Sequence, residues 1–314
     1  MDFGFRFLTF DFQPFTFDFS LLNSNFQKVL SKIVIGTMKW GRWGANYSSV
    51  QIARLIEKSC ELGLTSFDHA AIYGAYTTEK DFGKAFQLTG IPRDKVQFVT
   101  KCGIQYPCGN NSYRVKHYDY SSKELKQSLE NSLRNLKTEY IDLYLLHRPS
   151  PLMNVSEIAH VINPLIENET IKSFGVSNFG ASKIGLLARQ LPIKYNQIEV
   201  SATKPDHLFG DLLDYMETNG IVPMAWKPLG TFFQEGLLEI AEVSTIFREL
   251  THKYSCNADA LLLAWLLKHP SGIIPVIGTT SAARIESQSK ARQIEITTED
   301  WFLLLKVIRR IDVP

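Results

Sequence analysis

Eight short apolar runs recur along the chain: "KIVIGTM" (32–38), "LTSFDHA" (64–70), "VQFVTKCG" (96–103), "IDLYLLHR" (141–148), "SFGVSN" (173–178), "YNQIEVS" (195–201), "IVPMAWKP" (221–228) and "GIIPVIGT" (272–279). Stretches with helical patterning lie between them. Strands buried on both faces read as nearly continuous apolar runs, and repeated strand–helix units demand a parallel sheet with right-handed crossovers. Eight such units predict an α/β fold, a (β/α)8 TIM barrel closed on itself. An open doubly wound sheet is the competing architecture. When it binds a dinucleotide it usually carries GxGxxG after its first strand, whereas "GTMKWGRWG" stands here.

The helical patterning is clearest in "SSKELKQSLENSLRNLK", where Leu125, Leu129, Leu133 and Leu136 recur at helix spacing and Ser121 with Glu124 reads as a capping box. Ile52, Leu55, Ile56 and Cys60 form a similar stripe. "DWFLLLKVIRR" near the end predicts an extra C-terminal helix packed on the barrel. No low-complexity linker interrupts the alternation, so one domain is expected over residues 28–314. The preceding segment differs in character. Residues 1–26 hold nine phenylalanines in a Phe-x-Phe rhythm, with Arg6 as the only basic side chain, which fits neither a signal peptide nor a transit sequence. Period-two alternation with Pro14 at a turn reads as a hairpin; an unpacked extension or an upstream start codon is the alternative.

Composition narrows the function classes. Thirty-four basic against 32 acidic residues leave a net charge of +2, too little to predict attraction to nucleic acid or to a membrane surface. No apolar run reaches the roughly 18 residues that a membrane span requires. Cys60, Cys102, Cys108 and Cys256 form no CxxC pair and have no histidine at zinc spacing, so a reduced, cytoplasmic protein without a metal site is expected.

Barrel geometry sorts the polar residues, because active sites of this architecture sit at the carboxyl ends of the strands. Asp68 follows "LTSF", Lys101 ends "VQFVT" and His147 ends "IDLYLL". Taken singly, each has an ordinary reading: a loop-capping Asp, a solvated Lys, a satisfied core His. Neighbouring strands lie about 5 Å apart, so together the three form one cluster. Tyr73, in the following loop, leans back over the same mouth, where Lys101 paired with Asp68 places an ammonium beside its hydroxyl. A phenol titrates near 10, and an adjacent cation is expected to lower that value and make Tyr73 a general acid. Proton donation to a carbonyl oxygen needs a matching nucleophile. No Ser-His or Cys-His arrangement supplies one, and a hydride from a nicotinamide fits.

"FDHAAIYG", "TKCG", "DLYLLHRP", "GVSNF", "YNQIEVS" and "IGTTSAARIE" resemble, in order, the signature stretches of the aldo-keto reductase superfamily. "HRPSPLM", "PMAW" and "DVP" are similar to a bacterial branch of its oxidoreductases. The resemblance implies Tyr73 as acid, Lys101 and Asp68 as the pair that tunes it, and His147 as the partner that polarises and orients the carbonyl. It implies a cofactor, NADPH with NADH as the alternative, on Thr37, Ser177, Asn178, Gln197, Trp226, Lys227, Leu229, Gly278, Thr279, Arg284 and Gln288. Ser177, Asn178 and Gln197 would hold the carboxamide and Trp226 would stack on the nicotinamide ring. Lys227 and Leu229 would line the pyrophosphate, and Gly278, Thr279 and Arg284 the 2′-phosphate. An Arg fork suits phosphate. Gly278 where some relatives carry lysine, and Ser287-Gln288 in place of Glu-Asn, are departures. Trp40 and Trp43, the segment after strand three and "GTFFQEG" would wall a pocket for a small-molecule carbonyl substrate. His117 and Arg114 read as solvated loop residues. Two other functions stay open: a non-catalytic NADPH-sensing regulatory subunit and an aldolase using Lys101 as a Schiff-base nucleophile. A monomer is compatible with all three.

Overall fold

The computed structural model describes residues 30–109 and 111–312. The Phe-rich segment and its expected hairpin lie outside them. In chain order the elements are β1 (Val34–Gly36), α1 (Ser49–Glu61), β2 (Ser66–Asp68), α2 (Thr78–Thr89), β3 (Gln97–Cys102), β4 (Ile104–Gln105), β5 (His117–Tyr118), α3 (Ser122–Leu136), β6 (Leu143–Leu146) and α4 (Val155–Glu167). They continue with β7 (Phe174–Ser177), α5 (Ala181–Ala188), β8 (Ile193–Glu199), α6 (Asp211–Thr218), β9 (Val222–Trp226), α7 (Ala241–Lys253), α8 (Ala258–Leu267), β10 (Ile274–Ile277), α9 (Ala282–Ser289) and α10 (Thr298–Arg309). Eight parallel strands close into a barrel in the order β1-β10-β9-β8-β7-β6-β3-β2, one from each predicted run. Strands β4 and β5 form a separate antiparallel ribbon inside the loop after β3.

Strand periodicity assigns the faces. Val34, Val99, Leu143, Leu145, Tyr195, Met224, Ile274 and Val276 pack together in the lumen. Their alternates Ile33, Ile35, Phe67, Phe98, Tyr144 and Leu146 join the layer under the helices. Side chains alternate with period two. Counting outward from the lumen residues therefore points Asp68, Lys101, His147, Ser177, Gln197 and Trp226 inward at the carboxyl ends. Lumen packing is tight at β7: a Cβ on Gly175 would stand 2.4 Å from the Tyr195 carbonyl oxygen and 2.9 Å from Leu145 Cδ2.

The helices form where their stripes predict. Leu125, Leu129 and Leu136 are buried on α3, with Leu133 half-buried against the core. Ser121 caps α3 by accepting from the Glu124 amide, but the other half of the expected box is absent. The Glu124 side chain bonds Gln105 instead, and Asp119 Oδ1 accepts from the Ser121 amide at 2.9 Å. A complete capping box stands at α1, between Ser48 and Gln51. The C-terminal helix packs on α7 and α8: Trp301 stacks on Trp265 with centroids 4.6 Å apart, and each indole N–H donates to the other residue's carbonyl at 2.9 Å.

Candidate active site

Register brings the strand-end residues together. Asp68 pairs with Val99 across β2–β3, two residues below Lys101, and Lys101 pairs with Leu145, two below His147. Lys101 has no exposed side-chain surface, and its Nζ donates to both Asp68 oxygens and to the His69 carbonyl, each at 2.7 Å. An ammonium has three protons. Those contacts use all of them, and the Tyr73 hydroxyl lies alongside at 3.3 Å. Among the described residues no acceptor takes the Tyr73 proton. His147 faces Tyr73 edge-on with centroids 6.2 Å apart, and its buried Nδ1 has no partner.

A strained turn sets Tyr73. Gly74, Ala75 and Tyr76 follow with φ of 61°, 55° and 69°, a left-handed run that costs energy at the two non-glycine positions. It is pinned by Thr77 Oγ1 donating to the Gly74 carbonyl at 2.9 Å and by the Tyr106 amide donating to the Tyr76 hydroxyl at 2.8 Å. A side chain on Gly74 would meet Thr78 Oγ1 at 2.5 Å.

The electrostatics correct one expectation. Lys101 does act to lower the Tyr73 phenol, but burial outweighs it and holds the phenol above its ordinary 10. Tyr73 is therefore fully protonated at neutral pH. Burial opposes the Lys101 charge, yet Asp68 beside it wins and raises the ammonium above its usual range. Burial and then the charges of Lys101, Arg148 and Lys116 push His147 well below 6.5, which keeps its imidazole neutral.

Gln197 has a role that sequence reasoning missed: its Nε2 donates to Asp68 Oδ1 at 3.1 Å, so it buttresses the ion pair. Thr37 lies fully buried beneath the mouth, its Oγ1 3.0 Å from the Asp68 carbonyl and 2.8 Å from His69 Nδ1. It braces the end of β2. Ser177, Asn178 and Trp226 form a chain. Ser177 Oγ donates to the Gln197 carbonyl (3.0 Å), Asn178 Nδ2 donates to Ser177 Oγ (2.7 Å) and Trp226 Nε1 donates to Asn178 Oδ1 (2.9 Å).

Walling residues divide. Trp40 is fully buried, with its indole donating to the Thr279 carbonyl at 2.9 Å and its ring stacked on Phe82, so it is core and not pocket wall. Trp43 does stand at the mouth, 6.3 Å from the Tyr73 ring and 5.4 Å from Tyr106. In "GTFFQEG", Phe232 is buried against Phe247 while Phe233 is exposed. His117 is exposed on its ribbon. Burial raises the Cys60 thiol to about 11 and the Cys102 thiol to about 12, far from reactive thiolates.

The residues assigned to the cofactor suit a dinucleotide. Asn178 and Lys227, each just past a strand end, take left-handed φ of 63° and 52°. Apart from its chain neighbours, no atom of the described residues lies within 4 Å of where a Cβ on Gly278 would stand. Arg284 is exposed in the first turn of α9, at a helix N-terminus of the kind that favours phosphate. Gln288 is buried with its Oε1 unpartnered, whereas Ser287 is tied to Asp259 and Asn257. Lys227 Nζ lies 3.9 Å from Glu199, Leu229 packs on the core, and Thr279 Oγ1 accepts from the Ser281 amide at 3.1 Å. Among the described residues no group of His, Cys, Asp and Glu could hold a metal ion, and no helix is long and apolar enough to cross a membrane.

The aldo/keto reductase family model matches residues 32–309, so the chain belongs to that family and is an NAD(P)H-dependent oxidoreductase. Its relatives include the uncharacterized oxidoreductase YcsN of Bacillus subtilis, 35% identical over 90% of this chain and 96% of that one. Another is the 6-dehydroglucose reductase of Agrobacterium fabrum, 36% identical over 88% and 93%. The fold matches the crystal structure of an aldo/keto reductase from Klebsiella pneumoniae, which is in complex with NADP and acetate. That TM-score is 0.72 at 24% identity, covering 89% of this chain and 92% of that one.

Proposed function

We propose that this protein reduces a small aldehyde or ketone to the alcohol, reversibly, with NADPH as hydride donor and Tyr73 as proton donor. One observation carries the reading: the Tyr73 hydroxyl stands 3.3 Å from an ammonium whose three protons are already engaged, and its own proton is unclaimed. Bound NADPH supplies the hydride to the carbonyl carbon. Tyr73 gives its proton to the carbonyl oxygen as that oxygen gains charge, and the phenolate left behind faces Lys101. The ammonium therefore acts on the phenolate as it forms, which lowers the barrier more than it alters the resting phenol. Neutral His147, with no hydrogen bond to its ring among the described residues, offers an N–H to the same oxygen and orients it. Asp68, Gln197 and the His69 carbonyl keep Lys101 in place.

Ser177, Asn178 and Gln197 would present the nicotinamide carboxamide with donors and acceptors, with Trp226 as the stacking face. Arg284 would take the 2′-phosphate, because its planar fork suits phosphate oxygens. Removing a charged hydrogen bond costs roughly tenfold or more in affinity. Arg284→Ala should accordingly weaken NADPH by about that factor and leave NADH nearly unchanged, measured by quenching of protein fluorescence. Equal loss for both would put the 2′-phosphate elsewhere.

The name of the Agrobacterium relative directs attention to sugar-derived carbonyls among the substrates. Against an aldolase stands the state of Lys101, a buried ammonium with no lone pair to attack a carbonyl. The test is NADPH consumption over a panel of aldehydes, ketones and sugars, with equimolar alcohol formed. Tight NADPH binding with no oxidation across the panel would favour the regulatory alternative.

A further inference from the structure

Arg148, the residue after His147, has no place in the scheme above. Its backbone is clamped: the Tyr120 hydroxyl donates to the Arg148 carbonyl at 2.5 Å and accepts from its amide at 3.1 Å. Its side chain is half-buried and reaches across the mouth, with the guanidinium carbon 5.6 Å from the Trp226 ring centroid. It lies near enough to the Tyr73 hydroxyl and the His147 ring for its charge to depress both. Yet among the described residues the guanidinium makes no ion pair and no hydrogen bond. A half-buried fork of five donors is ordinarily matched by a carboxylate, because leaving it unpaired is costly. Asp68, the carboxylate of the catalytic cluster, is already taken by Lys101 from both oxygens.

Two anions could meet Arg148: a phosphate of the dinucleotide or a group on the substrate. The positions assigned to phosphates, Lys227 and Arg284, follow β9 and β10, whereas Arg148 follows β6 on the side of Tyr73 and His147. Lys116, on the ribbon-bearing loop after β3, adds a second cation whose charge reaches His147. The mouth is thus positive where the reacting carbonyl would lie, and Trp43, beside the Tyr73 and Tyr106 rings, supplies apolar surface there. We propose that Arg148 is a specificity residue that binds a carboxylate on the substrate, so that the preferred substrates are oxo acids whose carbonyl and carboxylate are presented to His147/Tyr73 and Arg148 together. This rests on the reductase reading.

The test compares substrates of matched shape: 4-carboxybenzaldehyde against methyl 4-formylbenzoate, and 4-oxobutanoate against butanal, with NADPH throughout. A charged hydrogen bond predicts kcat/KM about ten- to a hundredfold higher for each acid. Arg148→Leu should bring both ratios close to one by raising KM for the acids, any change in kcat being shared by acid and neutral partner alike, and Arg148→Lys should restore part of the preference. The Tyr120 clamp holds only backbone atoms, so these variants keep the loop, and NADPH affinity read by fluorescence should not move. Equal kcat/KM for acid and neutral partner in the wild type overturns the carboxylate subsite and leaves the reductase reading standing. Weakened NADPH binding in Arg148→Leu, with equal losses on all substrates, overturns it in favour of a cofactor contact. Absence of NADPH oxidation with every carbonyl removes both readings.

Discussion

Tyr73→Phe is expected to lower turnover by roughly a hundred- to ten-thousandfold, the range over which a positioned general acid contributes. The fold and the affinity for NADPH should stay intact. The hydroxyl is not needed to satisfy Lys101, since its three protons keep Asp68 Oδ1, Asp68 Oδ2 and the His69 carbonyl at 2.7 Å. The ring still fills its place against Trp43 and His147. Steady-state rates with fluorescence titration of NADPH separate the two quantities, and near-normal turnover would count strongly against the assignment. The wild-type rate of reduction should also hold through neutral pH and fall only as the medium becomes alkaline enough to ionise a phenol held above 10. His147 is held neutral over that range, so it adds no limb at neutral pH.

Lys101→Met should do more damage, and of two kinds. It removes the cation that stabilises the forming phenolate, and it leaves the Asp68 carboxylate buried without its partner. Breaking a buried ion pair from one side costs about 3–5 kcal/mol. A lower denaturant midpoint should therefore accompany the loss of turnover. Asp68→Asn combined with Lys101→Met removes the stranded charge and should recover much of the stability and none of the activity. Stability unchanged in Lys101→Met would mean that the pair is not closed in solution.

The barrel was legible because each strand is apolar on both faces and each helix carries a stripe. The two periodicities alternate without interruption from residue 32 onward. Asp68, Lys101 and His147 stood out as charged residues ending apolar runs, which is a local signal. What escaped notice depends on distance. Trp40 follows the first strand like a pocket residue, but its indole reaches Thr279, 239 residues away, and only packing decides that it is core. Gln197 reaches Asp68 across the lumen, and no spacing announces it. The β4–β5 ribbon is made of two-residue strands, too short for any alternation to show. Arg148 merely ends the fourth run, and nothing in the spacing singles it out. Its significance lies in pairing with no acid among the described residues, which is a property of space and not of order along the chain.

Burial was the influence that sequence reasoning underweighted at Tyr73. A neighbouring ammonium invites the conclusion that a phenol is acidified, but the same enclosure that brings Lys101 to 3.3 Å also strips water from the phenolate. The result is a donor that keeps its proton until a carbonyl oxygen demands it.

Catalysis by this site requires a hydride to pass to a carbonyl while Tyr73 delivers the proton. NADPH labelled with deuterium on the transferring face of C4, incubated with the enzyme and an accepted aldehyde, should yield alcohol with one deuterium on its carbinol carbon and an equal amount of NADP+, with both products formed roughly a hundred- to ten-thousandfold more slowly in Tyr73→Phe. Alcohol without the label, or a borohydride-trapped adduct on Lys101, would contradict it.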